Sequence, residues 1–469
     1  MNVALISTYD LGHQPFGLAS PMAWLREAGA SVACLDLAVQ EFDESIIRDA
    51  SLIAIHLQMH TATRLAVALL PRLQGINPSA HYCFYGLYAP LNEEFLRGLG
   101  AGTVLGGEFE AGLCSLYNRL NTSDSSSQNQ IQTEPVISHE KQKFRTPDRS
   151  SLPPLNNYGY LEVENGRRLE IGYTEASRGC KHVCRHCPVV PVYDGEFRIV
   201  QQNIVLEDIR QQIEAGAKHI TFGDPDFFNG AGHALRIIKE FHDEFPDITY
   251  DATIKIEHLL QHQAHLSALL ETGCLFVTTA VESVDNHILN ILDKGHTRED
   301  FIKAIHITRD HGLTLSPTFI PFTPWTTAAG YLDLLSVIIQ LEMVDYVAPI
   351  QLAIRLLLPK GSRLLDHEAL QPYLGSFNEP ALSYTWRDAD ELTATLHLAI
   401  CNIIQESEKN GWDRRESFTH ILETTQQLCG QETNKDSLVF NDLPKPSVPR
   451  MSEPWYCCAE PTEDQLAKV

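Results

Sequence analysis

Short apolar runs separated by amphipathic stretches fill the first 120 residues of the chain. Val3 to Ser7, Val32 to Leu37, Leu52 to Leu57, Tyr82 to Tyr85 and Thr103 to Leu105 read as strands, with helical spacing of apolar residues between them. Five such units predict a doubly wound parallel sheet over residues 1–120. A sheet of this kind takes ligands beyond the carboxyl ends of its strands. That places candidate contacts in Asp10 to Gly17, Met59 to Thr63, Gly86 to Ala89 and Gly106 to Glu110.

The pattern then breaks. Residues 121–150 are rich in Ser, Gln, Asn, Thr and Glu and poor in large apolar residues, which predicts a flexible linker closed by Pro153-Pro154. Over 151–365 the alternation returns, with strands expected at 171–176, 219–222, 250–254, 275–280, 315–320 and 346–353. The economical arrangement is a partial (β/α)6 barrel. Residues 366–440 read as a helical region, carried by Leu392, Leu396, Ile400 and Ile404 at helical spacing. The remaining 441–469 hold Pro444, Pro446, Pro449, Pro454 and Pro461 and read as an irregular tail, which contains Cys457-Cys458. The fold class expected is therefore α/β with an appended helical region.

Composition narrows the function. With 469 residues, 43% hydrophobic and 20% charged, the chain has material for more than one buried core. Its 36 basic and 60 acidic residues give a net charge of -24, which argues against nucleic acid or anionic membrane as a main partner. Small molecules or peptides are the expected substrates. The opening Met1 to Ile6 meets Ser7 and Asp10 and reads as a strand instead of a signal peptide, and no run approaches the ~20 apolar residues of a membrane span. Eleven cysteines in such a chain point to reduced thiols or metal ligands, and to the cytoplasm.

Three cysteines stand out. Cys180, Cys184 and Cys187 fall within eight residues, after a predicted strand and Gly179. Thiolates are the usual ligands of iron–sulfur clusters, and one compact loop can direct three of them to three irons of a cubane, leaving the fourth iron open for chemistry. A zinc loop is the alternative, with His182 and His186 as candidate fourth ligands.

This C-x-x-x-C-x-x-C loop resembles the signature of the radical S-adenosylmethionine (SAM) superfamily. The resemblance implies a [4Fe-4S] cluster on Cys180, Cys184 and Cys187 whose open iron chelates SAM, with His186 beside the adenine. Gly223 and Asp224, in Phe222-Gly223-Asp224-Pro225-Asp226, stand where the superfamily binds the SAM amino group. Glu282 and Ser283 resemble the ribose-binding segment, Ile320 and Phe322 the backbone that meets adenine, and Arg355 a partner for the SAM carboxylate. The acidic groups could alternatively cap helices, and Arg355 can be structural.

Residues 1–120 resemble the cobalamin-binding domain that precedes the barrel in one large radical SAM class. Gly107-Glu108-Phe109-Glu110 stands where that class often has Gly-Glu-Gly-Glu, and Arg149 with Leu152-Pro153-Pro154 precedes the barrel. Asp10 and His13 have the wrong spacing for the cobalt-ligand motif. Two readings stand: a cobalamin site involving Asp10, His13, His60, Gly86, Gly107 and Glu108, or a degenerate domain that supports the barrel or docks a partner. His60 reads also as a helix cap. The ending Trp455 to Pro461 resembles the radical SAM family named for its CUAEP or CCAEP tail, which makes Cys457 and Cys458 candidate redox or metal-binding thiols. An inert tail is the other reading. Cys34, Cys83, Cys114, Cys274, Cys401 and Cys429 read as core residues.

The resemblance implies an oxygen-sensitive enzyme that takes an electron from a donor such as flavodoxin or ferredoxin, cleaves SAM and abstracts hydrogen from a small molecule or peptide. With cobalamin the implied outcome is methylation. Without it, rearrangement, oxidation or carbon–sulfur bond formation follows. The rival class is a nonenzymatic iron–sulfur or zinc protein acting as a partner-binding module.

Overall fold

A computed structural model describes residues 1–122, 133–431, 440, 443–453 and 465–466. Its strands are β1 (Asn2–Ser7), β2 (Ser31–Asp36), β3 (Leu52–His56), β4 (His81–Tyr85), β5 (Thr103–Gly107), β6 (Ile137–Ser138), β7 (Tyr160–Val163), β8 (Arg167–Thr174) and β9 (Ser177–Gly179). There follow β10 (Phe197–Ile199), β11 (His219–Phe222), β12 (Thr249–Thr253), β13 (Cys274–Glu282), β14 (Leu315–Phe319), β15 (Leu374–Asn378), β16 (Ser383–Trp386) and β17 (Arg450–Met451).

The first sheet has the order β2-β1-β3-β4-β5-β6 and is parallel throughout. Helices cover both faces, which is why its strands are nearly continuous apolar runs. Val3 and Leu5 pack with Leu18 and Met22 on one face, while Ala4 and Ile6 pack with Leu65 and Leu69 on the other. The chain reverses direction across the sheet between β1 and β3, and the loops after these strands form the crevice where such sheets bind ligands.

The second sheet runs β14-β13-β12-β11-β8-β7-β17. Its strands β8, β11, β12, β13 and β14 are parallel, and β7 and β17 close one edge in antiparallel pairing. The sixth parallel strand expected at 346–353 does not form. Pro349–Leu352 is a 3-10 turn led by Pro349, whose missing N–H and fixed φ suit the first position of a helical turn. What remains of the sixth position is a single bridge, Phe322 to Arg355.

Three further segments differ from expectation. Residues 133–150, read as the second half of a flexible linker, are docked: β6 extends the first sheet, Arg119 grips Glu134 at 2.6 Å, and Arg149 grips Asp208 at 2.7 Å. Charge pairs, a free sheet edge and the burial of Phe144 hold the segment. The region from 366 begins with the β15–β16 hairpin, ahead of helices Glu391–Asn410 and Arg414–Leu428. In the first of these, Leu396, Ile400 and Ile404 are buried as expected, and Leu392 is exposed. The tail is not wholly irregular, since β17 pairs with β7 and Glu453 accepts the Tyr9 hydroxyl at 2.9 Å. Cys457 and Cys458 lie outside the described residues. No helix among the described residues is long and apolar enough to cross a membrane.

Candidate active site

Gly179 ends β9 at φ +73°, a left-handed conformation that turns the chain into the cysteine loop. A β-carbon there would meet the Glu196 carbonyl at 2.5 Å, so the position is closed to other residues. The buried Asn229 holds this turn from outside it. Its side chain donates to the Gly179 carbonyl at 3.3 Å and accepts the Lys181 N–H at 3.1 Å. On the far side of the loop the Arg185 guanidinium donates to the carbonyls of Asn290 and Ile291, at the end of helix Asn286–Leu292. Cations are favoured at a helix C-terminus, so this contact fixes the loop to the barrel. Cys184 is buried, Cys180 and Cys187 are half-buried, and none is in a disulfide. Three free thiols on one loop with a fixed backbone fit a three-thiolate cluster.

Glu282 stands next to this loop at φ +67°, at a register shift between β13 and β14. Strained backbone of this kind concentrates at functional sites. Its carboxylate accepts from His186 at 3.2 Å and from the buried Lys294 at 3.1 Å. Burial alone would push the Glu282 carboxyl up, but the Lys294 charge and the His186 hydrogen bond outweigh it and hold it near 2. Ser283, one residue on, accepts the Asp285 N–H at 3.1 Å.

The other expected SAM contacts are partly committed elsewhere. Asp224 is buried and accepts from the Ala176 N–H at 2.9 Å and the Ser177 hydroxyl at 2.5 Å, which fastens the start of β9, and burial pushes its carboxyl up to about 7. Gly223 lies against the Tyr173 ring so closely that a β-carbon would sit 1.8 Å from its hydroxyl. Ile320 packs with Leu356, Leu358 and Trp386. Phe322 is fully buried, stacked on Tyr331 at 4.9 Å and against His397 at 4.6 Å. Arg355 lies 3.9 Å over the Trp386 ring and pairs with Asp388 at 3.1 Å.

A cavity of about 70 Å³ lies where the strand ends of the first sheet meet the barrel. Asp10, Gly17, His56 and Gly107 line it from one side, and Tyr173, Arg178, Gly179, Tyr193 and Gly223 from the other. Arg178 is the centre of this contact. It pairs with Glu110 at 2.7 Å and Glu175 at 2.8 Å, and approaches Glu108 at 3.6 Å. Burial raises the Glu108 carboxyl to about 7. Burial also raises Asp10 well above the carboxylate range, with Asp36 and Glu175 adding to the shift. The His13 ring lies tilted 4.8 Å from the Tyr173 ring, and burial pushes its pKa down to about 4. Gly86, at φ +108°, gives His56 room to pack. His60 is the first residue of helix His60–Ile76, and the cap position belongs to Met59, which makes no side-chain cap bond.

Ligand pockets for drug-sized molecules run to roughly 300–1,000 Å³. Arg178, Val189 and Tyr193 line this cavity on the barrel side. In this arrangement Glu108 and Glu110 face the barrel's Arg178.

Arg178, Asn229 and Lys294 were not singled out in the sequence. Arg178 carried a signal, since it stands two residues before the first cysteine, whereas the contacts of Asn229 and Lys294 are long-range.

A sheet of five parallel strands thus carries a three-thiol loop after its first strand and stands beside a doubly wound domain. Residues 174–329 match the Radical SAM superfamily model, and the chain carries a radical SAM domain. It is 26% identical over 170 residues to an uncharacterized methyltransferase of Pyrococcus horikoshii, covering 36% of this chain and 37% of that protein. It is 25% identical over 226 residues to a putative methylthiotransferase of Methanocaldococcus jannaschii, covering 45% and 47%. The chain thus spans less than half the length of these curated relatives. The cobalamin-dependent SAM radical enzyme OxsB, solved with aqua-cobalamin and SAM bound, superposes with a TM-score of 0.68 at 16% identity, over 87% of this chain and 66% of that one. The radical SAM methyltransferase TsrM of Kitasatospora setae gives 0.58 at 15% identity, over 72% and 71%. These two likenesses establish the fold.

Proposed function

We propose that the protein is a radical SAM enzyme that modifies a small molecule or peptide, with Cys180, Cys184 and Cys187 holding a [4Fe-4S] cluster. The observation that carries this reading is the loop of three free thiols anchored by Asn229 and Arg185 inside the matched domain. When bound, such a cluster supplies the electron that cleaves SAM to methionine and a 5'-deoxyadenosyl radical, which abstracts hydrogen from the substrate.

The chain's own residues bind and orient. Glu282 is an ionised acceptor, suited to ribose hydroxyls, and Lys294 and His186 keep it ionised and fixed. His186 and Ile320 stand for the adenine contacts, and Ser283 supports the turn after Glu282. Gly223 forms chamber wall, and Asp224 positions the strand that carries the cysteine loop. Phe322 and Arg355 position the segment after β14 through their packing on Tyr331 and Trp386. The domains proposed are 1–120, 151–365 and 366–440. Asp10 and Gly107 line the cavity between the first sheet and the barrel, and Glu108 approaches Arg178 beside it. Methyl transfer is the first product to assay, in view of the named activities of the relatives. A flavodoxin or ferredoxin of the cytoplasm fits the need for a low-potential electron.

Anaerobically reconstituted protein is expected to hold about four irons and four sulfides per chain and, with a reductant, to form 5'-deoxyadenosine from SAM. Zinc bound by the cysteine loop in iron-replete protein would sink the reading.

Glu282→Gln removes the fixed charge while keeping the shape. SAM affinity is expected to fall roughly tenfold or more, since a hydrogen bond to a charged group contributes about 1.5–3 kcal/mol. The cluster spectrum should persist. Because the Glu282 carboxyl is held below its unfolded value, its pairing stabilises the fold above about pH 4.3, and this is lost as pH falls toward 2. Equilibrium dialysis with SAM and acid unfolding of both proteins check the two statements.

The vicinal thiols are proposed as redox or metal-binding groups. The segment leading to them is tethered beside the chamber, where Glu453 meets Tyr9 and Gly12. The Cys457→Ser/Cys458→Ser variant should keep reductive SAM cleavage and lose conversion of the native substrate. Full turnover by a tail-deleted protein would leave the thiols without a catalytic part.

A further inference from the structure

Three side chains from three separate segments converge beside the cysteine loop. His182 lies between Cys180 and Cys184, Asp226 begins the turn Phe227–Gly230 after β11, and His258 sits on helix Ile256–Gln261 after β12. Their ligand atoms all lie within 4.8 Å of one another. One Asp226 oxygen is 2.7 Å from His258 Nδ1 and 3.3 Å from His182 Nε2. Asp226 is fully buried and His258 is 5% exposed. The carboxylate and the two imidazoles face each other at ion-pair distance without hydrogen-bond geometry, and no other group among the described residues pairs with the three buried atoms.

Buried polar atoms are nearly always paired, so three that face one point call for a common partner there. Donors bound to one ion at about 2.0–2.2 Å stand roughly 2.8–3.6 Å apart, close to the two observed separations. The rest of each group is arranged to suit. The other Asp226 oxygen accepts the Phe228 N–H at 3.1 Å, which fixes the carboxylate. Glu257 lies 3.5 Å from His182 Nδ1, which favours the proton on that nitrogen and leaves the Nε2 lone pair for an ion.

We propose that His182, Asp226 and His258 bind one divalent first-row transition ion, zinc or ferrous iron, distinct from the iron–sulfur cluster. Two imidazoles and a carboxylate suit these ions and not calcium or magnesium, which take oxygen ligands. The ion ties the cysteine loop to the ends of β11 and β12. It does so through His182, whose backbone lies between two cluster cysteines. His258 also lines a cleft of about 470 Å³ with Lys181 and His262, from which water completes the coordination.

The test counts this metal apart from the cluster. Anaerobically reconstituted protein is incubated with zinc sulfate, freed of loose metal by gel filtration and analysed for iron, sulfide and zinc, with zinc K-edge absorption reading the donor atoms. One zinc per chain in a shell of nitrogen and oxygen without sulfur is expected, alongside an intact cluster. His258→Gln and Asp226→Asn should each keep iron and sulfide and lose the zinc, and Glu257→Gln should weaken zinc binding about tenfold. Wild-type protein that takes up neither one zinc nor a fifth iron overturns the proposal. So does sulfur in the zinc shell, or zinc held unchanged by both ligand variants. The wild-type donor shell decides the matter even if a variant fails to fold, and the separate iron count keeps the result independent of the radical SAM reading.

Discussion

Cys184→Ala is expected to lose the cluster's iron and sulfide and to reduce 5'-deoxyadenosine formation from SAM to the level of protein-free controls. Cys184 is the buried member of the three-thiol loop, so no surface group is placed to replace it. A cubane held by three thiolates that loses one leaves a second iron without a protein ligand. The loop's anchors do not involve this side chain: Asn229 grips Gly179 and Lys181, and Arg185 grips the helix end. The variant should therefore fold, with the circular dichroism of the parent and no charge-transfer absorption. Iron and sulfide assays and chromatography of the SAM products read the two losses. A variant that kept four irons and full SAM cleavage would show that the cluster lies elsewhere.

Arg178→Met is expected to destabilise the protein by about 3–5 kcal/mol, the range for removing one partner from a buried charge pair. Arg178 is 6% exposed and answers Glu110 and Glu108 of the first domain together with Glu175 of the barrel. Its loss leaves like charges buried side by side. The remaining carboxyls would then be pushed above their unfolded values, so the folded state binds more protons than the unfolded one. The defect should be largest at neutral to alkaline pH and shrink as pH falls through the folded-state values. Urea midpoints of parent and variant across pH 5–8 measure this. Equal midpoints at all pH values would mean that Arg178 does not hold the domains together.

The same residues separate what is local from what is not. Strand positions in the first domain were legible because each parallel strand buries both faces, so the runs at Val3, Leu52 and Thr103 carry their own signal. The cysteine loop was legible because its three ligands lie within eight residues. Glu282 was legible through its resemblance, yet its ionised state depends on Lys294 and His186, which only the packing of β13 against the loop brings to it. Residues 133–150 show the limit of composition: a polar segment looks mobile until the partners of Arg149 and Glu134 are known.

What the sequence determined by itself, then, is the alternation of elements and the chemistry of one compact loop, since both are set by neighbours a few residues apart. Tertiary structure decided the roles of groups whose partners are distant in the chain. It turned Glu108 and Glu110 toward Arg178, replaced the sixth strand with a proline-led turn and a bridge from Phe322 to Arg355, and brought His182, Asp226 and His258 to one point. The physical reason is that charge pairing and coordination act over a few ångströms of space, and no pattern along the chain encodes which distant segments will close that gap.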